Sequence, residues 1–341
     1  MVVLAPEDRF SRKLQDIGAQ VFNIEIDQRG ASPFADFSTL IKYLRLLRGL
    51  SPDVVVSFTV KPVIYGSVAA RVLGFPHINT ITGLGSAFIF QAGMRHLVSA
   101  MYRYSLKKSR VVFFQNKTDM MHFVKAKLVG EGQCQLVAGS GVDLEKFSPL
   151  PMPTRPETVF LMVARLFKDK GIYEFVEAAD GLNQEKRNVV FRLVGPLDCS
   201  GNQFAVREEE LALWVREGVI DYRGEVDDVR EEMRSADCVV LPSYREGMSK
   251  VLMEAAAVAR PIIAADVPGC RDIVMEGENG YLCTPRNGDE LRKAMCRFLS
   301  LSSDARQNMA DASRLLAVSR FGEKAVVDAY LNAMSDTDEV S

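Results

Sequence analysis

The chain is poor in the residues that most often mark metal and redox centres. Among its 341 residues are three histidines and six cysteines, the latter at 134, 199, 238, 270, 283 and 296 with no Cys-x-x-Cys pair and no compact spacing. That pattern excludes a zinc or disulfide framework, and the cysteines read as reduced, mostly packing residues of a cytosolic protein. The Asp-x-Asp match Asp336-Thr337-Asp338 lies in a polar tail and makes a poor metal site, so no metal is expected. Long apolar runs are also missing. The longest nearly charge-free stretch, Pro76 to Met94, contains three glycines, two threonines, Asn79 and Gln91, and fails as a membrane span. No signal peptide opens the chain, and a soluble or peripheral protein is expected. A strong overall charge is lacking too, at net −2, but its distribution is uneven. Residues 1–150 carry 18 Lys and Arg against 11 Asp and Glu, and the remainder 24 against 33. The basic first half suits a negative partner, either anionic lipid or a phosphorylated acceptor, or is simply a solvated surface. No nucleic-acid motif accompanies the charge, so nucleic acid is not expected.

With 48% hydrophobic residues the chain has material for two ordinary cores. Apolar strands alternate with helical patterns: a strand at 54–58, a helix at 64–73, strands at 77–81 and 111–114, then a helix from Thr118. A second series of strands begins at 159–163 and continues through 189–194, 220–223, 238–241 and 261–265. Such alternation predicts parallel sheets covered by helices on both faces, with ligands beyond the carboxyl ends of the strands. Gly139-Ser140-Gly141-Val142-Asp143 and the proline-rich Pro149 to Pro153 read as an interdomain linker. The expected division is therefore 1–148, 154–320 and a terminal helix and polar tail at 321–341.

The richest stretch is Ser243 to Ala255, where Glu246 and Glu254 stand eight positions apart across a strand-to-helix turn. The amides of Gly247, Met248 and Ser249 fall at the helix start, which favours an anion such as a diphosphate. Glu254 is set among apolar neighbours, where an ionised carboxylate is costly unless hydrogen bonds satisfy it; vicinal ribose hydroxyls would do so. Arg165 and Lys170 lie on the loop after the first strand of the second series and are candidates for the same anion. Gly195-Pro196, Gly224-Glu225-Val226-Asp227 and Pro268 to Asp272 are further strand-end loops. In the first half, Thr80-Ile81-Thr82-Gly83-Leu84-Gly85 lacks the third glycine of a dinucleotide fingerprint, which disfavours hydride transfer. His77 falls in a strand and His96 and His122 in helical patterns, all three read as structural. No general base stands out.

Glu246 to Glu254, the Arg165-x4-Lys170-Gly171 element and Gly139 to Asp143 agree in order and setting with family-four retaining, nucleotide-sugar-dependent glycosyltransferases, which the chain resembles from Val2 onward. The resemblance implies the GT-B fold: α/β, two doubly wound Rossmann-like domains facing a central cleft. It assigns Glu246 to the donor sugar, Glu254 to the ribose, Gly247, Met248 and Ser249 to the phosphates, and Arg165 and Lys170 to the diphosphate, whose departing charge they would neutralise in place of a metal. Gly195 and Val226 would complete the donor site, the latter at the nucleobase. Many relatives carry a histidine where Thr82 and Gly83 stand here; in such families the leaving phosphate is proposed to accept the acceptor's proton.

Thr82-Gly83-Leu84-Gly85, the upstream Thr59-Val60-Lys61-Pro62 and Glu-Gly-Met in the signature look most like the subgroup acting on undecaprenyl diphosphate saccharides, including N-acetylgalactosaminyltransferases. Lys61, Thr82 and Gly83 become acceptor candidates, Lys61 for the acceptor's diphosphate. The basic and apolar residues of Gln91 to Arg110 would lie on an anionic membrane, or else form a helix covering the sheet. The N-terminal domain is expected to be incomplete: relatives begin one strand and one helix earlier, so either the start is truncated or misassigned, or unpaired sheet edges are exposed. The expected activity is transfer of an N-acetylhexosamine or hexose from a UDP-sugar to a polyprenyl-diphosphate saccharide on the cytosolic face of the membrane. A sugar-nucleotide epimerase of the same fold and an inactive donor-binding fragment are the competing expectations.

Overall fold

The computed structural model describes residues 1–8, 10–26, 33–83, 92–185, 188–200 and 202–335. The chain separates into two compact units, Met1–Leu136 together with residues from Tyr330 on, and Val137–Ala329.

In the first unit, β1 (Val2–Ala5) and β2 (Gln20–Asn23) flank helix α1 (Ser11–Asp16), and α2 (Pro33–Leu50) follows. Then come β3 (Val55–Phe58), a π-turn at Pro62–Gly66, α3 (Ser67–Leu73), β4 (His77–Ile81), α4 (Ala92–Leu106), β5 (Val112–Phe114), α5 (Lys117–Lys125) and β6 (Cys134–Leu136). All pairings are parallel, as the alternation predicts. The strands do not form one sheet: β1 pairs with β2 alone, and β3-β4-β5-β6 form a second sheet. Burial follows the break. Every residue of β4 and β5 is buried, whereas β1 and β2 are half-exposed and Phe58, at the end of β3, is 46% exposed. The described strands of this unit therefore fall into two separate parallel sheets. Ile24, Tyr43, Leu47, Ala69 and Ala70 make the core beside α2 and α3, with Leu4 and Val55 packed against it.

The second unit holds β7 (Thr158–Val163), α6 (Ile172–Gln184), β8 (Val189–Val194), α7 (Glu208–Arg216), β9 (Asp221–Tyr222), α8 (Arg230–Arg234), β10 (Cys238–Leu241), α9 (Lys250–Ala257), β11 (Ile262–Ala265) and β12 (Gly280–Cys283). Helices α10 (Gly288–Leu299) and α11 (Ser303–Arg320) follow, and α12 (Glu323–Ser335) ends the described chain. One six-stranded parallel sheet has the order β12-β11-β10-β7-β8-β9, a doubly wound topology whose central strands are apolar throughout because helices cover both faces. Strands β7 to β11 each lie within two residues of their sequence expectation, and β12 was not expected.

Gly139 to Pro153 does not behave as a free linker, since the units divide at 136/137 and this passage packs on the second unit. Val142 donates to Phe321 O at 2.7 Å, and Leu150 to Val258 O at 3.2 Å. The wholly buried Arg260 draws in the prolines, donating to Leu150 O and Pro151 O at 2.8 Å each and to Met233 O at 2.9 Å. Burial lowers its pKa to about 10. Proline cannot enter a ladder as a donor, so a cation that collects carbonyls is the available tie. Arg260→Met should therefore destabilise the protein by about 3 kcal/mol in urea titration, because buried carbonyls lose their donor; a loss below about 1 kcal/mol would mean the segment is held by packing alone.

Candidate functional site

The candidate site lies in the second unit, where loops leaving the carboxyl ends of β7, β10 and β11 meet backbone to backbone. Gly171, at φ +79°, ends the short 3-10 turn Lys168–Lys170 and starts α6. A Cβ there would fall 2.3 Å from Pro242 O, so only glycine lets the β7 loop close on the β10 loop. Gly269, at φ +80°, does the same for the β11 loop: its Cβ would sit 2.5 Å from Gly247 O. Backbone bonds add to the closure, Tyr244 N–H to Asp169 O at 2.9 Å and Ser249 N–H to Gly269 O at 3.5 Å.

On this platform Lys170 Nζ and Glu246 Oε1 form an ion pair at 2.7 Å, both side chains mostly buried. Arg165 is exposed, its guanidinium 5.2 Å from the Phe167 ring centre, and no ion pair among the described residues engages it. Ser249 caps α9 with its hydroxyl accepting from Leu252 N–H at 3.3 Å, which orients the helix N-terminus beside Gly247 and Met248. Met248 lies against Gly139, where a Cβ would meet its side chain at 3.2 Å. Glu254 is buried on α9, and burial raises its pKa to about 7, opposed by Lys250 and Lys146. No hydrogen bond from the described residues reaches its carboxylate. Gly195 stands after β8, donating to Gly224 O at 2.8 Å and accepting from the Tyr222 hydroxyl at 2.8 Å, and half-buried Val226 follows in the β9 loop.

The first unit's candidates are placed separately. Lys61 leads into the π-turn and pairs with Asp36 of α2 at 2.7 Å, both mostly buried, so it is already neutralised. Thr82 and Gly83 are half-buried just past β4; Leu84 and Gly85 lie outside the described residues. His77 is buried in β4 with its pKa lowered by desolvation, and His96 and His122 are exposed on α4 and α5. In α4, Val98, Tyr102 and Leu106 face the core and Arg103 holds backbone carbonyls, as does Arg110 just before β5. Leu97 and Tyr104 are exposed at 62% and 52%. Among the described residues no group of His, Cys, Asp or Glu could hold a metal ion, and no helix is long and apolar enough to cross a membrane. Asp336-Thr337-Asp338 lies outside them.

Sequence reasoning missed the supports. Glu174, Arg286 and Tyr330 carry no motif, yet Tyr244 donates to Glu174 at 2.7 Å, Arg286 stacks on Tyr244 at 4.6 Å, and Tyr330 meets Thr80 at 2.6 Å within the first unit. The pattern Gly-x2-Glu after a basic loop was the available signal for Glu174.

A doubly wound sheet with basic and acidic side chains gathered on the loops at its strand ends is the setting in which open α/β proteins bind their ligands. Residues 150–316 match the family profile described as glycosyl transferases group 1, and residues 2–116 that described as glycosyl transferase 4-like. The chain belongs to this glycosyltransferase family. It is 26% identical to the N,N'-diacetylbacillosaminyl-diphospho-undecaprenol alpha-1,3-N-acetylgalactosaminyltransferase of Campylobacter jejuni, over 96% of this chain and 89% of that one. It is also 26% identical to the UDP-Gal:alpha-D-GlcNAc-diphosphoundecaprenol alpha-1,3-galactosyltransferase of Escherichia coli, over 83% and 75%. Among solved structures, Anabaena Alr3699/HepE in complex with UDP and glucose superposes with a TM-score of 0.80 at 18% identity, over 98% of this chain and 91% of that one. A glycosyltransferase from Rickettsia africae gives 0.78 at 16%, over 100% and 90%. The fold is GT-B.

Glu254 makes stability depend on pH. The native carboxyl holds its proton to about pH 7, above its ordinary value of 4.5. The folded state thus binds more protons across that window, and stability falls as pH rises through it. Glu254→Gln should match wild type near pH 4.5 and exceed it at pH 8 by on the order of 3 kcal/mol in urea titration. Equal stability at pH 8 would show that the carboxylate is not held in a desolvated place.

Proposed function

We propose that this glycosyltransferase moves an N-acetylhexosamine or hexose from a UDP-sugar to a polyprenyl-diphosphate-linked saccharide, with retention and without a metal, in surface polysaccharide or glycan assembly. The carrying observation is the Lys170–Glu246 pair, set at the strand ends beside the N-terminus of α9 and the buried Glu254. Lys170 and Arg165 take the diphosphate, and their charge stabilises it as it leaves. Glu246 holds Lys170 and faces the donor sugar. Glu254 receives the ribose hydroxyls, which give its buried carboxylate the hydrogen bonds it lacks. Gly195 and Val226 line the remainder of the nucleotide, and Gly247, Met248 and Ser249 the phosphates.

The lipid-linked acceptor is supported by the printed activities of the relatives from Campylobacter jejuni and Escherichia coli. Lys61, Thr82 and Gly83 are its candidate contacts; a diphosphate at Lys61 must compete with Asp36. The exposed Leu97 and Tyr104 of α4, with Lys107 and Lys108 beyond it, give a peripheral contact with an anionic inner-leaflet surface its support.

The test is transfer from UDP-N-acetylhexosamines and UDP-hexoses to prenyl-diphosphate saccharides. Arg165→Ala or Lys170→Ala should lower kcat about 10²-fold, and a chelator should change the rate little. Conversion of the UDP-sugar without an acceptor would establish an epimerase instead. Nucleotide binding with no turnover of any donor would establish an inactive donor-binding protein.

A further inference from the structure

Lys170 and Glu246 stand on two different loops, and their pairing requires that these loops be held in register. We propose that Tyr244 and Glu174 form a clamp that sets Lys170 against Glu246, Tyr244 being a positioning residue for the diphosphate site. Tyr244 grips the β7 loop on both sides of Lys170. Its backbone N–H donates to Asp169 O at 2.9 Å, one residue before, and its hydroxyl donates to Glu174 Oε1 at 2.7 Å, four residues after. Lys170 ends the 3-10 turn that leads into α6, Glu174 lies in the first turn of α6, and Tyr244 stands two residues before Glu246, so one residue fixes the loops of both members of the pair.

The burial of Glu174 argues that this contact does more than fill space. Glu174 is 8% exposed, and its Oε2 is buried without a hydrogen-bond partner among the described residues. A carboxylate kept under these conditions costs stability that an apolar residue would not. Its described partner is the Tyr244 hydroxyl, whose ionisation is suppressed by burial and by Glu174 itself, so it stays a donor. From solvent, Arg286 covers the Tyr244 ring, its guanidinium 4.6 Å from the ring centre.

This inference rests on the nucleotide assignment, and the experiment separates the two. UDP affinity is measured by calorimetry on the full chain for wild type, Tyr244→Phe, Lys170→Ala and the double variant. Tyr244→Phe should weaken UDP about tenfold, within the usual coupling of contacting residues, yet cost nothing further once Lys170 is replaced by alanine. Glu174→Gln, which keeps an acceptor for the hydroxyl, should bind UDP as wild type does. Glu174→Ala should lose as much as Tyr244→Phe, and serves if the latter folds poorly by thermal melt. Equal losses from Tyr244→Phe with and without the Lys170→Ala change, or none in either case, would overturn the clamp while leaving the nucleotide assignment standing. A wild-type chain that binds no UDP would overturn both.

Discussion

The chemistry of the second unit depends on peptide backbones that touch with no side chain between them. The β7 loop reaches the β10 loop only because residue 171 has no Cβ, and the β11 loop reaches the β10 loop only because residue 269 has none. Each approach brings a charged or amide-bearing segment to a fixed distance from its neighbour, and the Lys170–Glu246 pair is the product. Parallel strands make this possible, since all their carboxyl ends and following loops lie along one edge of the sheet.

The second unit retains several buried polar groups that an apolar core would do without. Arg260 is compensated by backbone carbonyls and ties down a proline-rich passage. Among the described residues, Glu174 is met by one hydroxyl, and Glu254 by the charges of Lys250 and Lys146 without a hydrogen bond to its carboxylate. The order matters: compensation is fullest where the role is structural and thinnest at Glu254, the position assigned to take hydrogen bonds from a ligand. Buried groups that are incompletely satisfied mark sites more sharply than the count of charges does.

Much of this was legible in the sequence. Strands such as Thr158–Val163 and Cys238–Leu241 are continuous apolar runs because both faces of the sheet are covered, and nothing competes with that signal. Glu246, Lys170 and Glu254 were legible because their spacing places them at strand ends and along a helix. Three things were not. The attachment of Gly139 to Pro153 to the second unit depends on Arg260, more than a hundred residues away, and no local pattern reports it. Lys61 reads as a free cation until Asp36 is brought beside it. Glu174 and Tyr244 meet across seventy positions, a distance over which spacing carries no information.

The divided sheet of the first unit has a further consequence. The β1-α1-β2 segment has a hydrogen-bond ladder of its own, so its opening breaks no bond in β3 to β6. Such a segment can exchange its amides with solvent through a local excursion, at a free energy well below that of global unfolding. The six-stranded sheet of the second unit has no such seam, and its central strands open only when the whole ladder does. Folding cooperativity is therefore distributed unequally along the chain, looser in the two-stranded ladder near its amino end and tighter in the six-stranded sheet beneath the β7, β10 and β11 loops.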